Sequence, residues 1–363
     1  MIKVLHIGLS SNRGGIENVV YSWFKNKPED VIFDFINVEN ADLAYQDEFL
    51  AEGKIYKIVA RKNNPVEYSK ELRAILENGC YNYIHCHVMA LSNPEPTIYA
   101  RRFSNTIPII HAHTVIRKEN LDIKGAILHR TGKWRLRNIN YYRMACGYDA
   151  GEAMFDGRDF ITIENGVDFT KLAYSEQDRI RIRNRYQIDE DAFVIGHVGR
   201  HGSIKNYPLL LKAFYRIHSK NIGAKLMLIG DVDKDETVLS YLRNLNLEGS
   251  VVFTGVVDCT EGFYAAMDAF CLPSLYEGVS VALIEAQAAG LKCVVSETVA
   301  RESAISNNVE FVSIDDEKEV VEKLKHIMSE SYPRTYVKLD PKYDVNTTSE
   351  KLFDFYRNHL VIN

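Results

Sequence analysis

The sequence predicts an α/β protein built from two doubly wound domains, and three observations carry that prediction. Its 363 residues exceed one ordinary core and suit two domains of roughly 150 to 200 residues each. Short apolar runs alternate with segments of helical period, which implies parallel sheets covered on both faces. The alternation pauses near Val167 to Tyr174 and then restarts. The expected division is therefore residues 1–168, residues 169–345 and a terminal segment, residues 346–363.

Composition narrows the function. A net charge of −5 argues against a nucleic-acid binder, because phosphate backbones select strongly basic faces. Cys80, Cys86, Cys146, Cys259, Cys271 and Cys293 form no C-x-x-C pair and lie largely in apolar runs, so they read as reduced core thiols with no metal or disulfide framework. The run from Met1 to Leu9 has strand length and no cleavage site, and nowhere do eighteen apolar residues follow one another. The expectation is a cytoplasmic protein, neither secreted nor membrane-spanning.

In order, the first half opens with a strand from Lys3 to Gly8, a loop ending in Gly14 and Gly15, and a helix whose buried stripe is Ile16, Val19, Val20, Trp23 and Phe24. The loop lacks G-x-G-x-x-G, so a dinucleotide reading is weak, but the glycine pair permits close approach of backbone to an anion. Strands follow at Phe33 to Val38, Lys54 to Val59, Tyr83 to His87 and Pro108 to His113, with helices at Pro65 to Asn78 and Pro94 to Phe103. Two of these strands end in histidine pairs, His85 with His87 and His111 with His113, each sharing one strand face. A metal site is one reading of the four; with no further ligand at motif spacing, buried hydrogen-bonded histidines account for at least some of them. Arg117 to Arg143 is the most basic window, carrying Lys124, Arg130, Lys133, Arg135 and Arg137 among Leu121, Ile123, Ile127, Leu128 and Trp134. Such a mixture suits either an anionic lipid surface or a solvated helix face. Tyr141 to Ala145 and Phe160 to Ile163 close the half as strands.

The second half runs through a charged helix at Arg179 to Tyr186, a strand from Phe193 to Gly199, then Arg200 and Lys205 before a helix at Pro208 to Ser219. A guanidinium fork and a flexible ammonium just past a strand suit a diphosphate gripped from two directions. Ala224 to Gly230 is a buried strand followed by Asp231-Val232-Asp233, whose D-x-D spelling suggests a metal site. That site is rejected because the short loop leads into the charged helix Lys234 to Asn244, where acidic residues complement the dipole. Strands at Val251 to Val257, Asp268 to Leu272, Lys292 to Ser296 and Val309 to Ile314 complete the sheet, and Thr347 to Glu350 reads as a capping box before an apolar stripe of Leu352, Phe355, Tyr356 and Leu360. Between them, Pro273 to Gly290 holds the most specific chemistry. Glu277 sits in a loop after a strand, Ser280 is the expected N-cap, and the unpaired N–H groups of Val281, Ala282 and Leu283 make an anion site. One turn on, Glu285 suits a vicinal diol such as ribose, because a carboxylate accepts both hydroxyl protons.

Glu277-x7-Glu285, followed by Ala286 to Gly290, resembles the signature of the retaining glycosyltransferases of family 4. Arg200 with Lys205, the Gly14-Gly15 pair with Glu17, and Asn165-Gly166-Val167-Asp168 at the domain junction extend the likeness over nearly the whole chain. The resemblance implies a GT-B fold: two Rossmann-like domains facing a cleft, the first for the acceptor and the second for the nucleotide-sugar donor, with a C-terminal helix packing back on the first. It implies donor contacts from Gly14, Gly15, Arg200, Lys205, Val257, Glu277, Gly278, Val279, Ser280, Val281 and Glu285, with Val257 beside the base. The catalytic group would be His113, Glu277, Arg200 and Lys205, with no enzymatic nucleophile, no cofactor and no metal. The implied substrates are a UDP-sugar and a polyprenyl-diphosphate-linked saccharide of capsular or exopolysaccharide synthesis, met peripherally at the inner face of an anionic membrane. Two other classes stay open: a nucleotide-sugar epimerase on the same scaffold, and a non-catalytic subunit serving a partner transferase.

Overall fold

The computed structural model describes residues 1–116, 122–330, 334 and 337–360. The chain divides into two compact units, one from Met1 to Gly166 together with the tail from Lys342, the other Val167–Pro341.

The first unit holds β1 (Ile2–Ile7), β2 (Val31–Asn37), β3 (Ile55–Lys57), β4 (Tyr83–Val88), β5 (Ile107–Ala112), β6 (Tyr142–Ala145) and β7 (Ile161–Thr162). They form one parallel sheet in the order β3-β2-β1-β4-β5-β6-β7. The strands are near-continuous apolar runs because helices cover both faces. The order reverses between β1 and β4, and open α/β sheets bind ligands just outside the strand ends at such a point. Gly8 closes β1 there with φ +107°, and a Cβ on it would stand 2.1 Å from the His87 carbonyl oxygen, so only glycine lets the two strand ends meet.

The second unit holds β8 (Val194–Val198), β9 (Lys225–Ile229), β10 (Val251–Gly255), β11 (Ala269–Leu272), β12 (Lys292–Ser296) and β13 (Val309–Val312). Their parallel order is β10-β9-β8-β11-β12-β13, with its switch between β8 and β11. The helix Tyr207–His218 packs Leu210, Leu211 and Phe214 onto this sheet beside Leu226, Leu228 and Cys271. Arg200 and the loop from Pro273 follow the ends of the two strands flanking that switch.

The last helix, Val345–Asn358, belongs to the first unit. Tyr83 donates its hydroxyl to the Tyr356 carbonyl oxygen at 2.9 Å, and Arg357 reaches Asp30 at 3.0 Å. The expected capping box is corrected: Asp344 is the N-cap, its carboxylate accepting from Asn346 N at 2.8 Å, and Thr348 is buried inside the helix. An aspartate caps as well as a threonine, and the apolar face that must be buried begins at Val345. Five helices escaped the sequence reading: Gln46–Glu52, Tyr148–Phe155 and Glu261–Ala266 carry no side-chain N-cap, whereas Phe169–Leu172 and Glu317–Ser329 are capped by Asp168 and Asp316. The thiol reading also needs correction, since Cys80 and Cys259 are exposed while the other four are buried.

Candidate functional site

Past β11, Pro273 offers no N–H to the sheet, and the chain turns into a loop held at Glu277. Glu277 bridges Val299, and its carbonyl accepts from Ala300 N at 3.2 Å, so its backbone is fixed from the neighbouring connection. Its carboxylate accepts from Ser274 Oγ at 3.0 Å and pairs with the Lys205 ammonium. Lys205 ends the short turn Ser203–Lys205 that follows β8, and Leu275 N donates to the Ile204 carbonyl at 2.8 Å, tying the two loops together. Two residues distant in sequence thus meet as a half-buried ion pair. Arg200 is not drawn into it. The Tyr207 hydroxyl fixes the Arg200 turn by donating to the Gly199 and Arg200 carbonyls, each at 3.3 Å, while the guanidinium lies exposed with no ion-pair partner among the described residues.

The helix Val281–Ala288 begins at Ser280, which takes an extended conformation and makes no side-chain cap. Its own N–H donates to Ser303 Oγ at 2.9 Å, and the first-turn N–H groups receive no side-chain cap from Ser280, contrary to the expected capping role. Gly278 accepts from the same hydroxyl at 3.5 Å, and Val279 and Val281 are partly exposed beside it. Gly290 follows the helix in the left-handed region at φ +77°. Glu285 Oε2 accepts from Tyr264 OH at 2.8 Å and Thr260 Oγ1 at 3.2 Å. Burial pushes its carboxyl up to about 7, against the opposing pull of the Tyr264 and Thr260 hydrogen bonds. Tyr264, Thr260 and Gln287 were not found from sequence. Gln287 donates to Leu283 O and Ser303 O and accepts from Ile305 N and Ser306 N, which holds the connection under the helix. Val257 lies on the partly exposed loop past β10. Asp231, first of the D-x-D residues, accepts from His201 N at 3.0 Å and Nδ1 at 2.7 Å.

In the first unit, Gly14 precedes the helix Gly15–Lys25 and Gly15 is exposed. Glu17 folds back, buried, to accept from Ser10 N at 2.9 Å and Ser10 Oγ at 2.8 Å, so its carboxylate braces the loop. The strand histidines converge with His6, which sequence reading missed, into five stacked imidazoles. His6 sits opposite His85 in the β1–β4 register and His87 opposite His111 in the β4–β5 register, and only pairing across strands reveals the cluster. His6 Nδ1 and His87 Nε2 hydrogen-bond at 3.0 Å, and His87 Nδ1 continues to His113 Nε2 at 2.9 Å. A second chain runs from Tyr356 OH to His85 Nδ1 at 2.6 Å and from His85 Nε2 to His111 Nδ1 at 3.0 Å. Trp23 stacks on His111 at 5.6 Å. Burial lowers His6 and His113 to about 3 and holds His85, His87 and His111 well below the ordinary range, with neighbouring imidazoles adding to the effect. Two trios, His6 with His85 and His87, and His87 with His111 and His113, bring ring nitrogens within 4.8 Å of one another. Neutral imidazoles so placed are competent metal ligands; the pairs His6–His87, His85–His111 and His87–His113 are already hydrogen-bonded, while His6 Nε2, His111 Nε2 and His113 Nδ1 have no partner among the described residues.

The basic window forms the helix Ile123–Leu136, while Arg117 to Leu121 lie outside the described residues. Asp122 caps it, accepting from Gly125 N at 2.7 Å. Its inward face is narrow: His129 accepts from Leu91 N at 3.0 Å, and Gly132 lies so near Leu91 that a Cβ would fall 1.7 Å from that carbonyl oxygen. Outward point Ile123, Ile127 and Trp134, 83%, 58% and 62% exposed. Lys133 pairs with Asp156 at 2.7 Å and Arg135 with Glu95 at 2.5 Å. Lys124, Arg130 and Arg137 carry no carboxylate partner among the described residues, and Arg137 stacks over Trp134 at 5.1 Å. Among the described residues no helix is long and apolar enough to cross a membrane.

Two parallel-sheet units with a C-terminal helix returning to the first define the GT-B architecture. Residues 192–330 match the family model described as glycosyl transferases group 1, so the second unit carries a glycosyltransferase group 1 domain. The chain is 29% identical to EpsF of Bacillus subtilis (strain 168), over 82% of this chain and 79% of that one. It is 27% identical to the Escherichia coli UDP-Gal:alpha-D-GlcNAc-diphosphoundecaprenol alpha-1,3-galactosyltransferase, over 45% of this chain and 43% of that enzyme. Among solved structures, Anabaena HepE in complex with UDP and glucose superposes with a TM-score of 0.81 over 99% of this chain and all of that one, at 15% identity, a likeness of fold.

Proposed function

We propose that the chain is a retaining glycosyltransferase that moves a hexose-type sugar from a UDP-sugar to a polyprenyl-diphosphate-linked saccharide in surface polysaccharide synthesis. The observation that carries this reading is the placement of Lys205, Glu277 and Glu285 about the N-terminus of the helix Val281–Ala288, inside the group 1 domain. Glu285 would accept the ribose hydroxyls and Glu277 those of the transferred sugar, with the diphosphate over the helix N-terminus between them. As the glycosidic bond breaks, charge grows on the diphosphate, and Arg200, Lys205 and the N–H groups of Val281 and Ala282 stabilise it. We assign no side chain as nucleophile; a donor phosphate oxygen takes the acceptor proton on the face the leaving group vacates, and His113 positions the sugar. The names of the E. coli galactosyltransferase and of the HepE complex support UDP-sugar and lipid-diphosphate substrates. No resident metal is needed in this reading, since fixed cations meet the diphosphate. The outward stripe of Ile123, Ile127 and Trp134 beside Lys124, Arg130 and Arg137 supports peripheral contact with anionic lipid at the inner membrane face. The test is incubation with radiolabelled nucleotide sugars and membrane lipid extract. Label should move from a UDP-sugar into the lipid fraction with the anomeric configuration kept; label that stays in nucleotide, or inverts, overturns the reading.

A further inference from the structure

The imidazole of His197 carries a lone pair that its surroundings leave unused. His197 lies on β8, fully buried, and its Nδ1 donates to the Cys271 carbonyl oxygen at 2.8 Å. A carbonyl only accepts, so this bond places the ring proton on Nδ1 and leaves Nε2 an acceptor. Burial, with the nearby Lys205 charge, lowers the pKa of the ring to about 3, so it is neutral at neutral pH. Nε2 is enclosed and has no partner among the described residues, a state that buried polar atoms rarely tolerate without a reason.

Gly199 shows what lies beside it. A Cβ built on Gly199 would stand 3.1 Å from His197 Nε2 and 2.8 Å from Lys205 Cε. Imidazole and lysine stem therefore close on one spot beside residue 199, too tightly for any side chain there. In this structure the ammonium at the end of that stem is paired with Glu277. An ammonium has three donors and a short, rotatable reach, so a small turn of its terminal bonds redirects it.

We propose that His197 Nε2 is a second seat for the Lys205 ammonium, occupied when hydroxyls of a bound sugar draw the Glu277 carboxylate away. The inference rests on the reading of Lys205 and Glu277 as donor-pocket residues. A carboxylate partner offsets the lysine charge, whereas a neutral imidazole holds the ammonium in place and leaves its full charge for the diphosphate. His197 is on this account a positioning residue that acts through Lys205.

Two substitutions separate the two edges of the ring. His197→Asn keeps an N–H near Nδ1 for Cys271 but supplies no acceptor at the Nε2 position; His197→Gln reaches that position with a carbonyl oxygen and gives up Cys271. With a second seat, Asn lowers kcat/KM for the sugar donor about tenfold and Gln retains most of it. A purely structural histidine gives the opposite order, which overturns the proposal. A measurement without substrate runs alongside: in protein labelled with 15N-histidine, the His197 Nε2 resonance shifts to that of a hydrogen-bonded acceptor in Glu277→Leu, where the ammonium has lost its carboxylate, and reverts in Glu277→Leu/Lys205→Met. A resonance that does not respond to Glu277→Leu removes the seat. This readout stands whether or not the protein transfers sugar, while a UDP-sugar binding assay on the wild type tests the underlying reading separately.

Discussion

Tyr264 donates its hydroxyl to Glu285 Oε2 at 2.8 Å, inside a setting whose burial raises that carboxyl to about 7. The charge on Glu285 therefore changes across the neutral range. The ionised form accepts two diol protons and the protonated form does not. Affinity for a UDP-sugar should rise several-fold from pH 6 to pH 8 in the wild type, and Glu285→Gln should bind weakly with no such slope. Calorimetric titration at three pH values checks it; a flat wild-type profile sinks the ribose assignment. The sign for stability is opposite. A folded pKa above the unfolded one is stabilising at low pH and is lost as pH passes 7, so Glu285→Gln should raise Tm at pH 8 and leave it unchanged at pH 4.

Where the candidate residues fall on their elements was legible in sequence, because they sit at short, fixed offsets from strand ends and helix starts. Glu277, Ser280 and Glu285 share one loop and helix, and Arg200 and Lys205 share another. What sequence could not supply were contacts made across elements: Tyr264 and Thr260 come to Glu285 from the start of a short helix with no cap to announce it. His6 joins the other histidines only through strand pairing, which periodicity does not order. The basic window showed its composition but not its polarity. Lys133 and Arg135 are held by Asp156 and Glu95, while Ile123, Ile127 and Trp134 face out.

The two cations should separate by mutation. Arg200→Ala and Lys205→Ala should each cost about 2 to 4 kcal/mol of transition-state stabilisation, the range for one preorganised donor facing developing charge. Arg200 makes no ion pair among the described residues, so its loss should leave Tm unchanged. Lys205→Ala strips Glu277 of its cation in a half-buried setting and should lower Tm as well. EDTA should leave the rate intact in both variants and in wild type, and stimulation by manganese would return Asp231 to consideration. Full activity in the double variant counts against a diphosphate leaving group.

The histidine cluster should make the fold acid-labile. His6, His113 and His197 titrate near 3 when folded and near the ordinary value of 6.5 when unfolded, and His85, His87 and His111 are lowered as well. The unfolded chain therefore binds more protons below pH 6.5, and stability present above that value falls as pH drops toward 3. Each group contributes a slope of up to about 1.4 kcal/mol per pH unit in that window. Urea midpoints should fall steeply from pH 7 to pH 5, and His6→Phe should flatten the fall. Metal analysis of the purified protein belongs to the same experiment, because one equivalent of zinc, lost in His87→Gln, would replace the hydrogen-bonded chains with a metal centre.

Membrane contact is the prediction that the geometry sharpens most. A helix that points Ile123, Ile127 and Trp134 into solvent exposes apolar surface that an aqueous face would not retain, and Arg137 stacks on the indole with Lys124 and Arg130 on the same helix. On an anionic surface each such cation contributes about 1 kcal/mol, and the aromatic ring sits at the headgroup level. Binding to phosphatidylglycerol liposomes should be reversible and should weaken from low to high salt. Changing Lys124, Arg130 and Arg137 to glutamate should abolish flotation, Trp134→Ala should weaken it even at low salt, and Lys133→Glu should cost fold stability instead, because it sets a second carboxylate against Asp156. Wild type that stays unbound at low salt, or a triple charge reversal that floats as well as wild type, removes the membrane from the reaction and makes a soluble saccharide the acceptor.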